Sequence, residues 1–220
     1  MCIRDRFLGT ILAFLIFSNL SSKPTETVQE VSAVNGTGIV LPSHFTERKI
    51  TDPSTARDAI NDVADTLGIV SVEDELGTAD CSTVLGDTYY SFPQVYRGIP
   101  VYGRKVTVSA DADSEAALLT SGFYPIENLS VEAKITQNDA EKIVAGLYPG
   151  EADIYVNNLV IFSLDKTNPE LAWKISVHQN NSWESVFLSA VDGRALKTFS
   201  NELTDNELSL IHISEPTRPY

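Results

Sequence analysis

The residues able to do chemistry in this chain are few, and their spacing does not suit it. There are three histidines, His44, His178 and His212. A zinc-dependent hydrolase of the HExxH kind needs two His one helical turn apart with a Glu between them, so that one helix face carries both the metal and a general base. None of the three stands in that pattern. The two cysteines, Cys2 and Cys81, form neither a metal cluster nor a disulfide framework. Cys81 reads as a small buried apolar residue rather than a nucleophile. No G-x-S-x-G elbow, G-x-G-x-x-G turn or Walker loop is present, and the acids are not set at calcium-loop spacing. A Ser–His–Asp triad draws its members from distant parts of a chain, so spacing leaves it open. His178 falls on an exposed-looking strand face, where solvation explains it. The reading is a binding or scaffolding module, not an enzyme, with no catalytic residue, metal site or cofactor of its own.

The elements that would carry such a module are legible from periodicity. Asp52 before Pro53 is a helix start, because a side-chain acceptor meets the free N–H groups and proline suits the first turn. Ala56, Ala59, Ile60, Val63, Ala64 and Leu67 then recur at helical spacing up to Gly68. Tyr89–Tyr96 reads as a strand, Arg97-Gly98 as a hairpin turn, and Ile99 onward as the return, with Pro100 marking an edge or bulge. Val106, Val108 and Ala110 alternate with polar neighbours, and Leu118–Tyr124 forms a further strand. Thr136, followed by Asp139, caps a second helix striped by Ala140, Ile143, Val144 and Leu147 and stopped by Pro149-Gly150. Strands follow at Leu159–Leu164, Leu171–His178, Trp183–Ala190 and Arg194–Phe199, with Asp192-Gly193 as a turn. The pattern is helix then antiparallel strands, twice. It implies an α+β fold of two small subdomains, each a helix on an antiparallel sheet, with the boundary near Asn128–Lys134.

Charge and termini bound the rest. The 220 residues are 43% hydrophobic with a net charge of −14, a globular composition that repels nucleic acid and anionic membranes. Phe7–Phe17 is an apolar run of signal-peptide length, too short to span a bilayer, so export is expected. The terminal stretches Met1–Arg6 and Leu208–Tyr220 resemble translated sequencing-adapter read-through, so the expectation is a fragment of a longer protein. The organisation expected is adapter-like residues and signal over 1–22, linker over 23–48, first domain over 49–127, second over 128–200, and linker with adapter-like tail over 201–220.

Tyr96, Arg97, Gly98, Ile99, Pro100, Val101, Tyr102 and Gly103 together resemble the Y-x-G-[IV]-P-V-[FY]-G core of the fungalysin/thermolysin propeptide (FTP) domain. Tyr90–Val95 before it and Lys105–Ala110 after it fit as well. The Gly98 turn and Pro100 give the motif its shape, and Tyr96 and Tyr102 are expected to pack on the helix. The second half is similar to a PepSY domain: Leu171–Val177, with Trp173 and Val177, matches its strand, and Val186–Leu196, with Phe187, Asp192 and Gly193, its closing hairpin. Ser189 stands where an Asp is usual. The FTP-then-PepSY order covers about Lys49–Ser200 and is that seen before thermolysin-like (M4 family) zinc metallopeptidases.

The resemblance implies a cystatin-like or PepSY-like fold and a pro-region acting as intramolecular chaperone and inhibitor in a zymogen. Its partner would be the cognate catalytic domain, normally in cis, with no nucleic acid and no membrane once the signal is removed. Zinc and calcium are expected only in that missing domain, and the location is secreted or periplasmic. The contact surfaces implied are the sheet around Tyr96–Tyr102 and the segment after Phe199. A free-standing secreted inhibitor or binding module acting in trans is the alternative, and an enzyme with an illegible site the third.

Overall fold

The computed structural model describes residues 29–33, 36–163 and 168–200. The signal-like run, Cys2, His212 and the tail from residue 201 lie outside the described residues.

Asp52 starts the first helix as its position demands. Its carboxylate accepts from the backbone N–H of Ser54 (2.8 Å) and Thr55 (2.9 Å), and Thr55 Oγ1 accepts from the Asp52 N–H. Helix α1 runs Pro53–Asp62. Val63, at φ −119°, interrupts what periodicity reads as one helix, and α2 continues over Ala64–Leu67 to a left-handed Gly68. A further turn, α3 at Val72–Glu75, is capped by Ser71 and has too few residues to show a period. Half-buried Arg57 ties it to α1, donating to the carbonyls of Val72 (3.0 Å), Leu76 (3.2 Å) and Gly77 (2.6 Å). Carbonyls at and just beyond a helix C-terminus carry acceptor capacity that the helix leaves unused, which is why a cation binds them.

The helices cover one face of an antiparallel meander: β3 (Asp80–Val84), β4 (Asp87–Tyr96), β5 (Ile99–Ala110) and β6 (Ala116–Ser121). Ala56, Ala59 and Ile60 pack with Phe92, Val106, Val108 and Leu119, all at most 1% exposed. Two strands precede this group, β1 (Gln29–Ala33) and β2 (Gly36–Leu41), and β2 pairs with β6 through Ile39–Leu41. The expectation of a linker over 23–48 is therefore corrected. Leu41 and Phe45 enter the first core, and β2, paired with β1 on one side and β6 on the other, has only three apolar residues in sequence, Ile39 to Leu41, with no legible alternation. Asp62 anchors the following loop, accepting from Thr46 Oγ1 (2.8 Å) and Arg48 Nε (2.7 Å).

The second group holds α4 (Gln137–Leu147), β7 (Asp153–Phe162), β8 (Glu170–Gln179), β9 (Ser182–Ser189) and β10 (Ala195–Ser200). Thr136 Oγ1 caps α4 by accepting from the Asp139 N–H at 3.2 Å. Ala140 and Val144 bury completely against Ile175, Val177, Val186 and Leu188. Leu147, expected in the stripe, is 54% exposed. The helix ends there, and Tyr148 turns inward instead, its hydroxyl donating to Glu184 at 2.5 Å. Burial, reinforced by that hydrogen bond, pushes the Tyr148 phenol up to about 12.

Among the described residues the fold is α+β, with few helices and a ten-stranded sheet that is antiparallel except for one joint. The joint is in β5. Between the pairs Pro93↔Lys105 and Val95↔Pro100, a single β4 residue, Gln94, faces Val101 to Arg104 on β5. This bulge frees Val101 to pair with Ile161 of β7 in parallel, along the edge that β6 has left at Ser121. Gly103 makes the bend at φ 68°. Buried Gln94 fills the opening as a strand would: its Nε2 donates to the Tyr124 carbonyl (2.7 Å) and its Oε1 accepts from the Tyr124 N–H (3.3 Å).

Hydrogen bonding from Arg48, then from Thr46, holds the Asp62 carboxyl below its ordinary value despite partial burial. A depressed carboxyl stabilises the fold above the unfolded value and loses that contribution as pH falls through the folded one. Asp62→Asn should cost no more than about 1 kcal/mol near neutral pH. The gap should close as pH falls below 3.8. Urea titrations across pH check this; a gap independent of pH would show that the ion pair contributes nothing. Gly98→Ala and Gly103→Ala should each cost about 1–2 kcal/mol through the backbone alone, since an added Cβ at either meets no atom within 4 Å. Equal stability of these variants in urea would refute the left-handed assignments. Gln94→Leu, which removes both side-chain hydrogen bonds to the Tyr124 backbone, should cost about 0.5–1.5 kcal/mol for each, read as a lower denaturation midpoint.

Candidate functional site

The residues singled out in the sequence fall in two places. Tyr96 and Ile99 face each other across the hairpin, whose turn is Arg97 (φ 49°) and Gly98 (φ 80°), the two positive angles of a type I′ turn. Tyr96, Ile99 and buried Val101 cluster with Tyr124, Ile126 and Ile161. Pro100 lies at the start of the bulge, as expected of a residue with no N–H to give. Tyr102 points the other way. Its ring lies 4.5 Å from that of Phe187 and 6.0 Å from that of Phe162, and Lys174 Nζ sits 5.4 Å over it. The expectation that Tyr96 and Tyr102 pack on the helix is thus corrected. The bulge turns both toward β7 and its neighbours, so they bind the two strand groups together rather than filling the first core.

In the second half, Trp173 and Val177 belong to the core under α4, and Trp173 Nε1 donates to the Ile135 carbonyl at 2.9 Å. Phe187 lies on the opposite face of the sheet with Val160, Phe162 and Ala172. Asp192 accepts from the Arg194 N–H, which holds its carboxyl below the usual range. Gly193 lets the chain pass under α4, where a Cβ would lie 2.9 Å from Ile143 Cδ1. So Tyr102 and Phe187 are brought together, while Trp173, Val177, Asp192 and Gly193 remain in the second group's own packing.

A cleft of about 670 Å³ opens where the bulge meets the second group. Its floor is the sheet face opposite the first core, and its wall comes from β7 and β8. Arg104, Lys105 and Lys174 line it together with Tyr102 and Asn158, and Asp80 is the one acid among the lining residues. The Arg104 guanidinium carbon stands 5.4 Å over the Tyr124 ring, so two of the three cations are steered by aromatic faces. Sequence reading missed these cations. The available signal was alternation: Lys105 and Lys174 occupy strand positions opposite in parity to the core residues Val106 and Ile175.

Cys81 corrects another expectation. It is exposed on β3, whose five residues are all exposed. Among the described residues β3 pairs only β4, and an edge strand of that kind covers too little to bury it. His178 is one-third exposed, stacked at 4.7 Å on Trp183, with Nδ1 3.5 Å from Asp153. Among the described residues, no three His, Cys, Asp or Glu side chains gather as a metal site, and no helix is long and apolar enough to cross a membrane.

No curated protein matches the chain. Among solved structures, the Bacillus megaterium YpeB C-terminal domain is 14% identical, over 82% of this chain and 92% of that one, with a TM-score of 0.39. A Clostridium difficile 630 protein described as a lipoprotein is 16% identical, over 72% and 99%, with a TM-score of 0.27. At these scores neither likeness decides the fold. The family comparison does bear on it: residues 81–123 match the model of the fungalysin/thermolysin propeptide motif. The match runs from β3 through the hairpin and bulge to Phe123, and it takes in the cleft's floor. Over this stretch, then, the chain is similar to the fungalysin/thermolysin propeptide motif.

Proposed function

We propose that the chain is the pro-region of a secreted thermolysin-like (M4 family) zinc metallopeptidase, acting as intramolecular chaperone and inhibitor of a catalytic domain that follows in cis. The observation that carries this is the motif match over residues 81–123, together with where that motif sits: around an open cleft rather than wholly inside a core. In this reading the first helix-backed group (residues 49–127) is an FTP domain and the second (128–200) a PepSY domain. The chain needs no cofactor, and zinc and calcium belong to the catalytic domain. Export through the N-terminal apolar run puts the protein outside the cytoplasm or in the periplasm.

The physical mechanism is differential binding. Many secreted proteases have native states separated from the unfolded chain by a high barrier. A pro-region that binds the folding transition state more tightly than the unfolded chain lowers that barrier. If it also binds the folded product, it inhibits. The covalent link raises the effective concentration to about the millimolar range, so a modest interface suffices until the link is cut.

The test is to refold a denatured thermolysin-type catalytic domain with and without this chain, and to titrate the chain onto the mature peptidase. The expected result is a several-fold rise in recovered activity and saturable inhibition. Neither rise nor inhibition would overturn the proposal.

A further inference from the structure

The chain carries a net charge of −14, and several of its exposed cations are neutralised in place: Arg48 by Asp62, Lys49 by Glu115, Arg194 by Glu170. Arg104, Lys105 and Lys174 differ. Among the described residues none of them forms an ion pair, and all three line one cleft that holds a single acid, Asp80. Cations concentrated without partners on an acidic protein create a local field of the opposite sign to the whole. Two are already oriented over aromatic rings, which lowers the entropy lost when they bind an anion.

The cleft is also bordered by an open sheet edge. β3 pairs β4 on one side, from Asp80↔Ser91 to Val84↔Asp87, and has no strand on the other among the described residues. Asp80, Cys81 and Ser82 lie at the cleft itself. An edge of this kind offers N–H and C=O groups at strand spacing to an extended chain. The cleft volume of about 670 Å³ lies within the ~300–1,000 Å³ usual for ligand sites.

We propose that this cleft takes an extended polypeptide segment bearing carboxylates, with Arg104, Lys105 and Lys174 receiving the carboxylates and the free β3 edge receiving the backbone. This rests on the pro-region reading and names the chemistry of the partner segment: acidic, strand-forming and contributed by the peptidase. A nucleic acid would supply anions too, but it has no backbone N–H and C=O groups at strand spacing to pair with the β3 edge.

The test uses the full chain and a fluorescently labelled ten-residue peptide alternating Glu and Thr, followed by anisotropy. A Lys/Thr peptide and a ten-nucleotide oligo-dT run alongside. The Glu/Thr peptide should bind, the Lys/Thr peptide should not, and affinity should fall as salt rises. Lys105→Gln with Lys174→Gln should weaken binding about tenfold or more, while Lys142→Gln, on the outer face of α4, should leave it unchanged. Asp80→Asn should tighten binding, a gain that loss of folding cannot produce. No peptide binding, equal weakening by Lys142→Gln, or equal affinity for oligo-dT would overturn the proposal. Repeating the peptidase titration with these variants separates the two readings. Inhibition unaffected by loss of the cations sinks the cleft assignment alone. Peptide binding without any inhibition sinks the pro-region reading alone.

Discussion

Strand β5 must satisfy two sets of partners along one backbone. Over Val106–Ala110 it lies between β4 and β6; at Val101 it has moved to the edge of β7. An extended strand in unbroken register could not do both, because β6 and β7 approach it from different directions along the same edge. The bulge opposite Gln94 resolves the conflict. It adds residues on β5 only, bends the strand at Gly103, and reverses which way Val101 and Tyr102 point. Gln94 then supplies from its side chain the two hydrogen bonds that the missing backbone pair would have made.

The cleft is a consequence of that bend. Were β5 straight, the sheet face opposite the first core would run flat into solvent. The bend brings β7 and β8 alongside, so that Lys174 and Asn158 face Arg104 and Lys105 across an opening. Tyr102 serves both roles, since its ring packs on Phe187 and Phe162 while remaining 36% exposed beneath Lys174. The most recognisable residues of the motif therefore act first as an architectural joint. Any surface they present to a partner depends on that joint being formed.

Local signals in the sequence were accurate where local chemistry decides. The Asp52 and Thr136 caps, the Gly68 stop, the Arg97-Gly98 turn and the alternation of Val106 and Val108 all stand where nearest-neighbour physics puts them. The errors share a cause as well. The sequence reads β2 as linker, Cys81 as buried, Leu147 as core, and the motif tyrosines as helix-facing. In each case burial depends on residues distant in the chain: β6 for β2, the lack of a second partner strand for β3 among the described residues, Glu184 drawing Tyr148 inward in place of Leu147, and β7 to β9 for the tyrosines.

What the sequence determined by itself was the inventory: which segments form most of the helices and strands, where they stop, and that Tyr96–Gly103 resembles the core of a propeptide motif. Hydrogen bonds and capping groups a few residues apart are enough for that. Only the tertiary structure decided that β5 is shared between two strand groups, and that Arg104 and Lys105 of β5 meet Lys174 of β8 in one cleft. Both depend on the Val101–Ile161 pairing, between residues sixty positions apart, for which no periodicity along the chain gives a signal.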